Sequence, residues 1–246
     1  LNKDKAGTFT VRAMQGLASA RYEQKDFEQA ASQLLQLLRD HPGEALTLDA
    51  YLWCSQWLRE QERWADAAAM YTALLQAYPN YEERAGLLFI LGECQEKNGD
   101  TDKAIKTYTE ALGLAPDGQR AIEIHYHLGA LYETRKELEK AATWYEKAAN
   151  MDGGEISAKA RFQLASVQEG LGDHESAARN YMRLAILFVH ETLSPEALWR
   201  AGNCYRKLGN NDQARSVFEE LLADYPESSF AAQAKELLNQ LQKPAG

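Results

Sequence analysis

Two neighbouring histidines, His125 and His127, are the first candidates for metal-binding chemistry. On a helix, residues two apart point about 200° away from each other, so these imidazoles cannot bind one ion together. The cysteines Cys54, Cys94 and Cys204 have no second cysteine or histidine at metal-site spacing. This pattern favours reduced thiols packed in a core. The sequence therefore predicts neither a metal site nor a disulfide framework.

The sequence also lacks the motifs of common catalytic sites. It contains no HExxH zinc motif, no glycine-rich phosphate loop and no GxSxG nucleophile turn. Glu93 and Glu96 form a pair of neighbouring carboxylates, but such pairs are expected as surface charge in a chain with 36 acidic residues. We therefore predict a protein that is not an enzyme and needs no cofactor.

Charge and composition exclude further classes of protein. The 36 acidic residues outnumber the 27 lysines and arginines, and the resulting net charge of −9 repels a phosphate backbone, which excludes nucleic acid as a partner. No apolar run approaches the roughly 20 residues that cross a bilayer, so no direct membrane insertion is expected. The polar start LNKDK has neither an initiator methionine nor the apolar region of a signal peptide, so we expect an excised or processed piece from which any targeting sequence has been removed.

An internal repeat organises the whole sequence. Six alanines follow turn-forming residues at intervals of 36 or 37 positions, namely Ala30, Ala67, Ala104, Ala141, Ala177 and Ala214. A large apolar residue lies one helical turn after each alanine: Leu34, Tyr71, Tyr108, Tyr145, Tyr181 and Phe218. Prolines that end the second helix follow in four repeats, at Pro42, Pro79, Pro116 and Pro226. Each repeat is thus predicted to be two antiparallel helices.

Small residues mark the place where the paired helices meet. They are Gly92, Gly129, Ala165 and Gly202, each on the first helix of its pair. Neighbouring pairs must stack to bury their apolar faces, and the last pair needs a cap. After Ser228 or Ser229, apolar residues recur at helical spacing from Phe230 to Leu241. We predict six repeats at 11–44, 48–81, 85–118, 122–155, 158–191 and 195–228 in one domain, 1–246, with a capping helix at 228–242.

These motifs resemble the tetratricopeptide repeat (TPR). Gly129, Tyr132, Ala141, Tyr145 and Ala148 match the family pattern in one repeat. The resemblance implies an all-α, right-handed α-solenoid that binds proteins or peptides. The period is 37 rather than about 34 residues, and the first repeat has Ala18 and Arg21 where glycine and tyrosine are usual.

The phrase LLADYPESS resembles the longer-linker repeats of bacterial envelope proteins such as the Tol-Pal accessory protein YbgF and the outer-membrane assembly lipoprotein BamD. That likeness implies a bacterial protein in the periplasm or at the outer membrane, with the cytoplasm as the alternative.

A candidate binding groove follows from helical geometry and the family resemblance. One position on each first helix, about 120° from the core-facing side, carries an apolar residue in repeats two to six: Leu52, Phe89, Tyr126, Phe162 and Trp199. Acidic residues lie further along the same face at Glu93, Glu96, Glu133 and Glu169. We call these nine residues the first-helix stripe. The stripe predicts binding of a segment with apolar and basic side chains.

The alternative interpretation of the stripe is structural. In it the apolar residues pack against neighbouring first helices, and the glutamates form a solvated face. The chaperone-type clamp for a C-terminal carboxylate is not predicted, because the positions that need lysine, asparagine and arginine carry other residues and few cations line the groove.

A second candidate surface is the segment Tyr181 to Val189, which lacks the proline that ends other second helices. One interpretation is a helix extended over its neighbour. The other is an exposed patch at Leu187, Phe188 and Val189 for self-association.

The leading functional hypothesis is a bacterial adaptor that holds a protein or peptide in its groove. The alternative is a structural or self-assembling module of a larger envelope complex, with a homo-oligomer as one form of it.

Overall fold

The computed structural model describes residues 2–42, 45–118, 120–152, 154–188 and 192–241, with the backbone alone for 2–9. These ranges contain thirteen α-helices and no β-strand, so the expected all-α class is confirmed. The helices are α1 (Asn2–Glu23), α2 (Phe27–Asp40), α3 (Leu48–Glu60), α4 (Trp64–Ala77), α5 (Arg84–Lys97), α6 (Thr101–Leu114), α7 (Ala121–Thr134), α8 (Leu138–Ala149), α9 (Glu155–Gly170), α10 (His174–Leu187), α11 (Leu193–Lys207), α12 (Asn211–Asp224) and α13 (Ala231–Leu241).

A tight turn joins the two helices of each pair. Gly99 adopts a φ of 82°, and its N–H donates to the carbonyl oxygen of Glu96 at 2.9 Å. The next N–H, of Asp100, donates to the carbonyl oxygen of Gln95 at 2.8 Å. These two bonds close the end of α5, and the left-handed φ they require favours glycine. Lys136 occupies the equivalent turn after α7 with a φ of 61°.

Close contact between an aromatic ring and a small residue fixes each pair. A Cβ atom added to Gly129 lies 2.5 Å from Cδ1 of Tyr145, and one added to Gly92 lies 2.6 Å from Cε1 of Tyr108. Both tyrosines are fully buried. The small residue on the first helix therefore makes room for the large residue on the second.

The chain consists of two compact units. Unit 1 is Leu1–Arg120 and contains α1 to α6, and unit 2 is Ala121–Gly246 and contains α7 to α13. In unit 2, α13 places Ala234 and Leu238 in one apolar cluster with Phe218 and Tyr181, so this helix covers the end of the core. The single-domain arrangement and the count of six repeats remain predictions.

Several element boundaries differ from those expected. Helix α1 begins at Asn2, well before residue 11. Helix α13 begins at Ala231 rather than 228, and the buried hydroxyl of Ser228 has no hydrogen-bond partner in the described part of the chain, so it does not cap that helix.

Helix α10 ends at Leu187 and is 14 residues long, the same length as α4, α6 and α12, so it is not extended over its neighbour. The change to extended backbone at Phe188 ends it without a proline. None of the described helices combines the length and apolar character needed to cross a membrane.

Candidate functional site

The four aromatic residues of the first-helix stripe rest on the large aromatic residues of the second helices. The ring centroids are 5.9 Å apart for Phe89 and Tyr108 in unit 1. In unit 2 they are 5.7 Å apart for Tyr126 and Tyr145, 5.4 Å for Phe162 and Tyr181, and 5.6 Å for Trp199 and Phe218. These distances are typical of tilted or edge-on aromatic pairs. The structure thus shows an aromatic contact within four of the helix pairs.

Exposure separates the stripe residues into two groups. Phe89 is 1% exposed, and the guanidinium of Arg120 lies 4.4 Å above its ring. Phe162 is also buried, with the guanidinium of Arg200 at 5.4 Å. Leu52, Tyr126 and Trp199 are half-buried and keep part of their surface open. Phe89 and Phe162 are therefore poor direct contacts for a ligand, which corrects the expectation that every rung of the apolar row is available.

The glutamates of the stripe bind the tyrosines beneath it. The hydroxyl of Tyr108 donates to Glu96 at 3.1 Å, that of Tyr145 to Glu133 at 2.9 Å, and that of Tyr181 to Glu169 at 3.4 Å. Glutamate and tyrosine are twelve positions apart in all three repeats, so this signal was present in the sequence. Burial, together with the adjacent Glu96 carboxylate, raises the pKa of Tyr108 far above its ordinary value. These carboxylates hold the helix pairs together and are more than a solvated face.

Cations compensate the acidic side of the stripe. In unit 2, Glu169 lies 3.0 Å from the Lys207 ammonium and 3.6 Å from the Arg200 guanidinium. In unit 1, Glu93 lies 3.9 Å from the guanidinium of Arg59. The expectation that few cations line this face is therefore wrong. These two arginines and one lysine come from neighbouring repeats. They do not occupy the periodic positions that define the stripe.

The remaining ionisable candidates are packed rather than arranged for chemistry. His125 stacks on Trp144 with ring centroids 5.5 Å apart, and burial lowers the pKa of its imidazole. The three thiols are free and buried, and burial raises the pKa of Cys54 to about 12. Among the described residues there is no cluster of histidine, cysteine, aspartate or glutamate that could hold a metal ion.

Arg161 is a buried residue that the sequence analysis missed. Its guanidinium donates to the carbonyl oxygen of Ala149, the last residue of α8, and to the side-chain oxygen of Asn180 on α10 at 3.3 Å. Burial lowers the pKa of this group. The carbonyls at a helix C-terminus carry partial negative charge. Arg161 therefore joins α8, α9 and α10 as a structural residue.

The side chains at the end of α10 differ in their exposure. Ile186 is 68% exposed and Leu187 is 56% exposed, while Phe188 is half-buried. Val189, the third residue expected in this patch, lies outside the described residues. The exposed pair is therefore Ile186 and Leu187, one residue earlier than expected.

Comparisons with known proteins agree with this geometry. Models of the tetratricopeptide repeat match residues 16–82, 56–119, 122–154 and 196–228. A curated relative, the mouse (Mus musculus) aspartyl/asparaginyl beta-hydroxylase, is 28% identical over 144 residues. That match covers 55% of this chain but spans 19% of the length of the hydroxylase.

Three solved structures illustrate the structural likeness. MamA has a TM-score of 0.59 at 20% identity, covering 80% of this chain and 96% of MamA. YrrB, described as a TPR protein with an unusual peptide-binding site, has a TM-score of 0.58 at 16% identity, covering 82% of this chain and 96% of YrrB. The C-terminal part of a TPR protein from Cytophaga hutchinsonii has a TM-score of 0.62 at 13% identity, covering 92% and 85%.

Proposed function

Since this chain belongs to the tetratricopeptide repeat family, we propose that it holds a segment of a partner protein against the first helices of unit 2. The family and its structural neighbours support a protein-interaction scaffold in general. Our proposal adds three points to that general role: the partner contributes a segment, the segment binds in the groove, and the chain is a bacterial adaptor. The specific likeness to YbgF and BamD is not confirmed.

The observation that carries this proposal is a pair of partly exposed aromatic rings on a rigid support. Trp199 lies between Phe218, at 5.6 Å, and Phe230, at 6.0 Å. Tyr126 rests on Tyr145, whose hydroxyl is held by Glu133. Because these rings are already ordered, they lose little conformational entropy when a ligand covers them. Partly exposed tyrosine and tryptophan are also the residue types that most often dominate binding energy.

The charges refine the kind of segment that fits. Arg200 and Lys207 already neutralise Glu169, so that carboxylate offers little to a basic partner. Glu133 is half-buried beside the tyrosine ring and is the stronger candidate to bind a lysine or arginine. We therefore propose a partner segment with two apolar anchors and one basic residue near the Tyr126 end.

The mouse hydroxylase does not change this proposal. Its match overlaps the repeat region and represents a small part of that protein, and TPR domains typically act without catalysis. We propose that this chain acts by binding alone.

The test is a quantitative comparison of captured proteins. The full chain and a Tyr126→Ala/Trp199→Ala variant serve as baits in an extract of the source organism, and mass spectrometry measures each captured protein. We expect the double variant to reduce capture of the true partner at least about tenfold, equivalent to about 1.4 kcal/mol. Cross-links from Lys159, on the neighbouring α9, should identify the bound segment.

A matched control removes the same kind of surface elsewhere. Leu114→Ala/Leu171→Ala shortens two exposed aliphatic residues outside the stripe, and it should leave capture unchanged. Circular dichroism must show that both variants keep the helical content of the original chain. Equal capture by the original chain and the Tyr126/Trp199 variant would refute this binding surface.

A second candidate function is self-association through the end of α10. Ile186 and Leu187 are adjacent and strongly exposed, and paired apolar residues of this kind occur at protein interfaces. Light scattering over a range of concentrations tests this function with Leu187→Asp as the variant. Assembly that is lost in Leu187→Asp supports it, while a monomer in both proteins excludes it.

A further inference from the structure

A groove of unit 1 is lined mostly by second helices and contains no residue of the first-helix stripe. It has a volume of about 960 Å³ and lies between α2 and α4. Leu35 and Leu38 of α2 line one side, and Ala69 and Ala73 of α4 line the other. A second groove of about 360 Å³ begins at Thr72 and continues towards α6. The two grooves share lining residues and therefore form a continuous depression.

The depression exists because α2 packs loosely against the helices that follow it. Helix α2 makes far fewer contacts with α3 than α10 makes with α11. The facing surface of α4 carries Ala65 and Ala69, both exposed, whose side chains are too short to fill the gap. The first repeat also differs in sequence, because Leu34 replaces the aromatic residue found in the other five. A gap of this size with an apolar floor is typical of a binding site.

A buried amide lies where the two grooves meet. Gln95 lines both of them and is 7% exposed. Its side-chain oxygen Oε1 is buried and has no hydrogen-bond partner among the described residues. Buried polar groups almost always have a partner, and leaving one without a bond costs free energy. The amide therefore points to a ligand that supplies a hydrogen-bond donor.

The charges around the depression favour an acidic ligand. Three carboxylates line it, and each already binds a cation: Asp66 binds Arg63 at 2.7 Å, Asp100 binds Lys103 at 3.1 Å, and Glu110 binds Arg84 at 2.9 Å. Two further cations, Arg39 and Lys106, line the depression without a carboxylate partner within the described ranges. The described residues that line the depression thus carry a net positive charge, in a chain of net charge −9.

We propose that this depression binds an extended segment of a partner protein that alternates small apolar residues with aspartate or glutamate. An extended segment keeps its backbone N–H groups available, whereas a helix uses them internally, so it can donate to Gln95. Side chains of an extended segment alternate between two faces. The apolar face fits the alanine floor of α4, and the acidic face meets Arg39 and Lys106.

Fluorescence anisotropy with the full chain tests this second site. The probe is a fluorescein-labelled nine-residue peptide of alternating valine and glutamate, which spans about 30 Å when extended. The matched peptide carries lysine in place of each glutamate. We expect the acidic peptide to bind at least about tenfold more tightly at 0.15 M salt, where screening acts over about 8 Å.

Three variants separate the parts of the site. Ala69→Glu fills the floor with a negative charge, and Lys106→Glu reverses a charge at the edge, so each should weaken binding at least about tenfold. Gln95→Met keeps the side-chain length and removes the unpaired oxygen, so it should weaken binding while the melting temperature stays equal or rises. Lys235→Glu, a charge reversal on α13, should leave binding unchanged.

The outcomes distinguish this site from the proposed function. Acidic-peptide binding that survives in Tyr126→Ala/Trp199→Ala supports a separate site on the second helices. The proposal is overturned if the acidic peptide does not bind, if the lysine peptide binds equally well, or if Ala69→Glu has no effect. Self-association of the original chain that Ala69→Glu abolishes would assign the depression to a second copy and overturn the proposal too.

Discussion

Replacing Gly129 with alanine tests the contact that fixes the helix pairs. The added Cβ lies 2.5 Å from Cδ1 of Tyr145, against an optimal carbon–carbon separation of about 3.5–4.0 Å. The ring cannot move freely, because it is buried and its hydroxyl is bound to Glu133 at 2.9 Å. Overpacking of this kind costs about 1–3 kcal/mol. The higher helix propensity of alanine returns about 1 kcal/mol.

Gly16 provides the matched control for this substitution. It lies in the interior of α1, and an added Cβ has no atom within 4 Å. Gly16→Ala should therefore stabilise the protein by about 1 kcal/mol through helix propensity alone. The propensity gain cancels between the two variants, so their difference of about 1–3 kcal/mol measures the steric cost. In a chain of this size, that difference corresponds to about 2–12 °C in melting temperature.

Differential scanning calorimetry measures both variants against the original chain. We also expect Gly129→Ala to be partly rescued by Tyr145→Leu, because the first repeat already combines Ala18 with Leu34. The rescue should appear as non-additivity of at least about 0.5 kcal/mol in a double-mutant cycle. If Gly129→Ala raises the melting temperature as much as Gly16→Ala does, the close ring contact does not fix the pair and the reasoning fails.

Two further predictions concern buried ionisable groups. Burial raises the pKa of Cys54 to about 12 and the pKa values of Cys94 and Cys204 to about 11. The folded chain should therefore react slowly with Ellman's reagent at pH 8, and all three thiols should react in denaturant. Rapid reaction of the folded chain would contradict this packing. Burial, with a smaller effect of Lys147, lowers the pKa of His125 below its ordinary 6.5. As the pH falls below 6.5, the unfolded chain takes up a proton at His125 that the folded chain does not, so the stability of the folded chain should fall in acid. The melting temperature should therefore drop between pH 7 and pH 5, and it should drop less in His125→Phe.

The repeat itself could be predicted because its determinants are local and repeated. Ala141 and Tyr145 lie one helical turn apart, and Gly129 is sixteen residues from Tyr145 across a single tight turn. Each repeat presents the same spacing again, so packing within a pair is visible as a period in the sequence. The all-α class follows from that period, and the residues at its recurring positions carry the resemblance to the family, without knowledge of any longer-range contact.

The availability of the stripe could not be predicted in the same way. Phe89 and Tyr126 occupy equivalent positions, yet Phe89 is buried beneath Arg120 and Tyr126 keeps an exposed edge. Phe89 is covered by the side chain of Arg120, which lies in the turn before α7 and which the repeat period does not constrain. The same holds for Glu169, whose charge is neutralised by two cations of α11.

By itself, the amino-acid sequence determined which residues pair within a repeat, because those contacts depend on helical spacing and on the small volume of residues such as Gly92 and Ala104. Only the tertiary structure decided which side chains remain open to a ligand and where a depression forms between α2 and α4. Those properties depend on how closely successive pairs approach and on which long, charged side chains reach across the boundary between them.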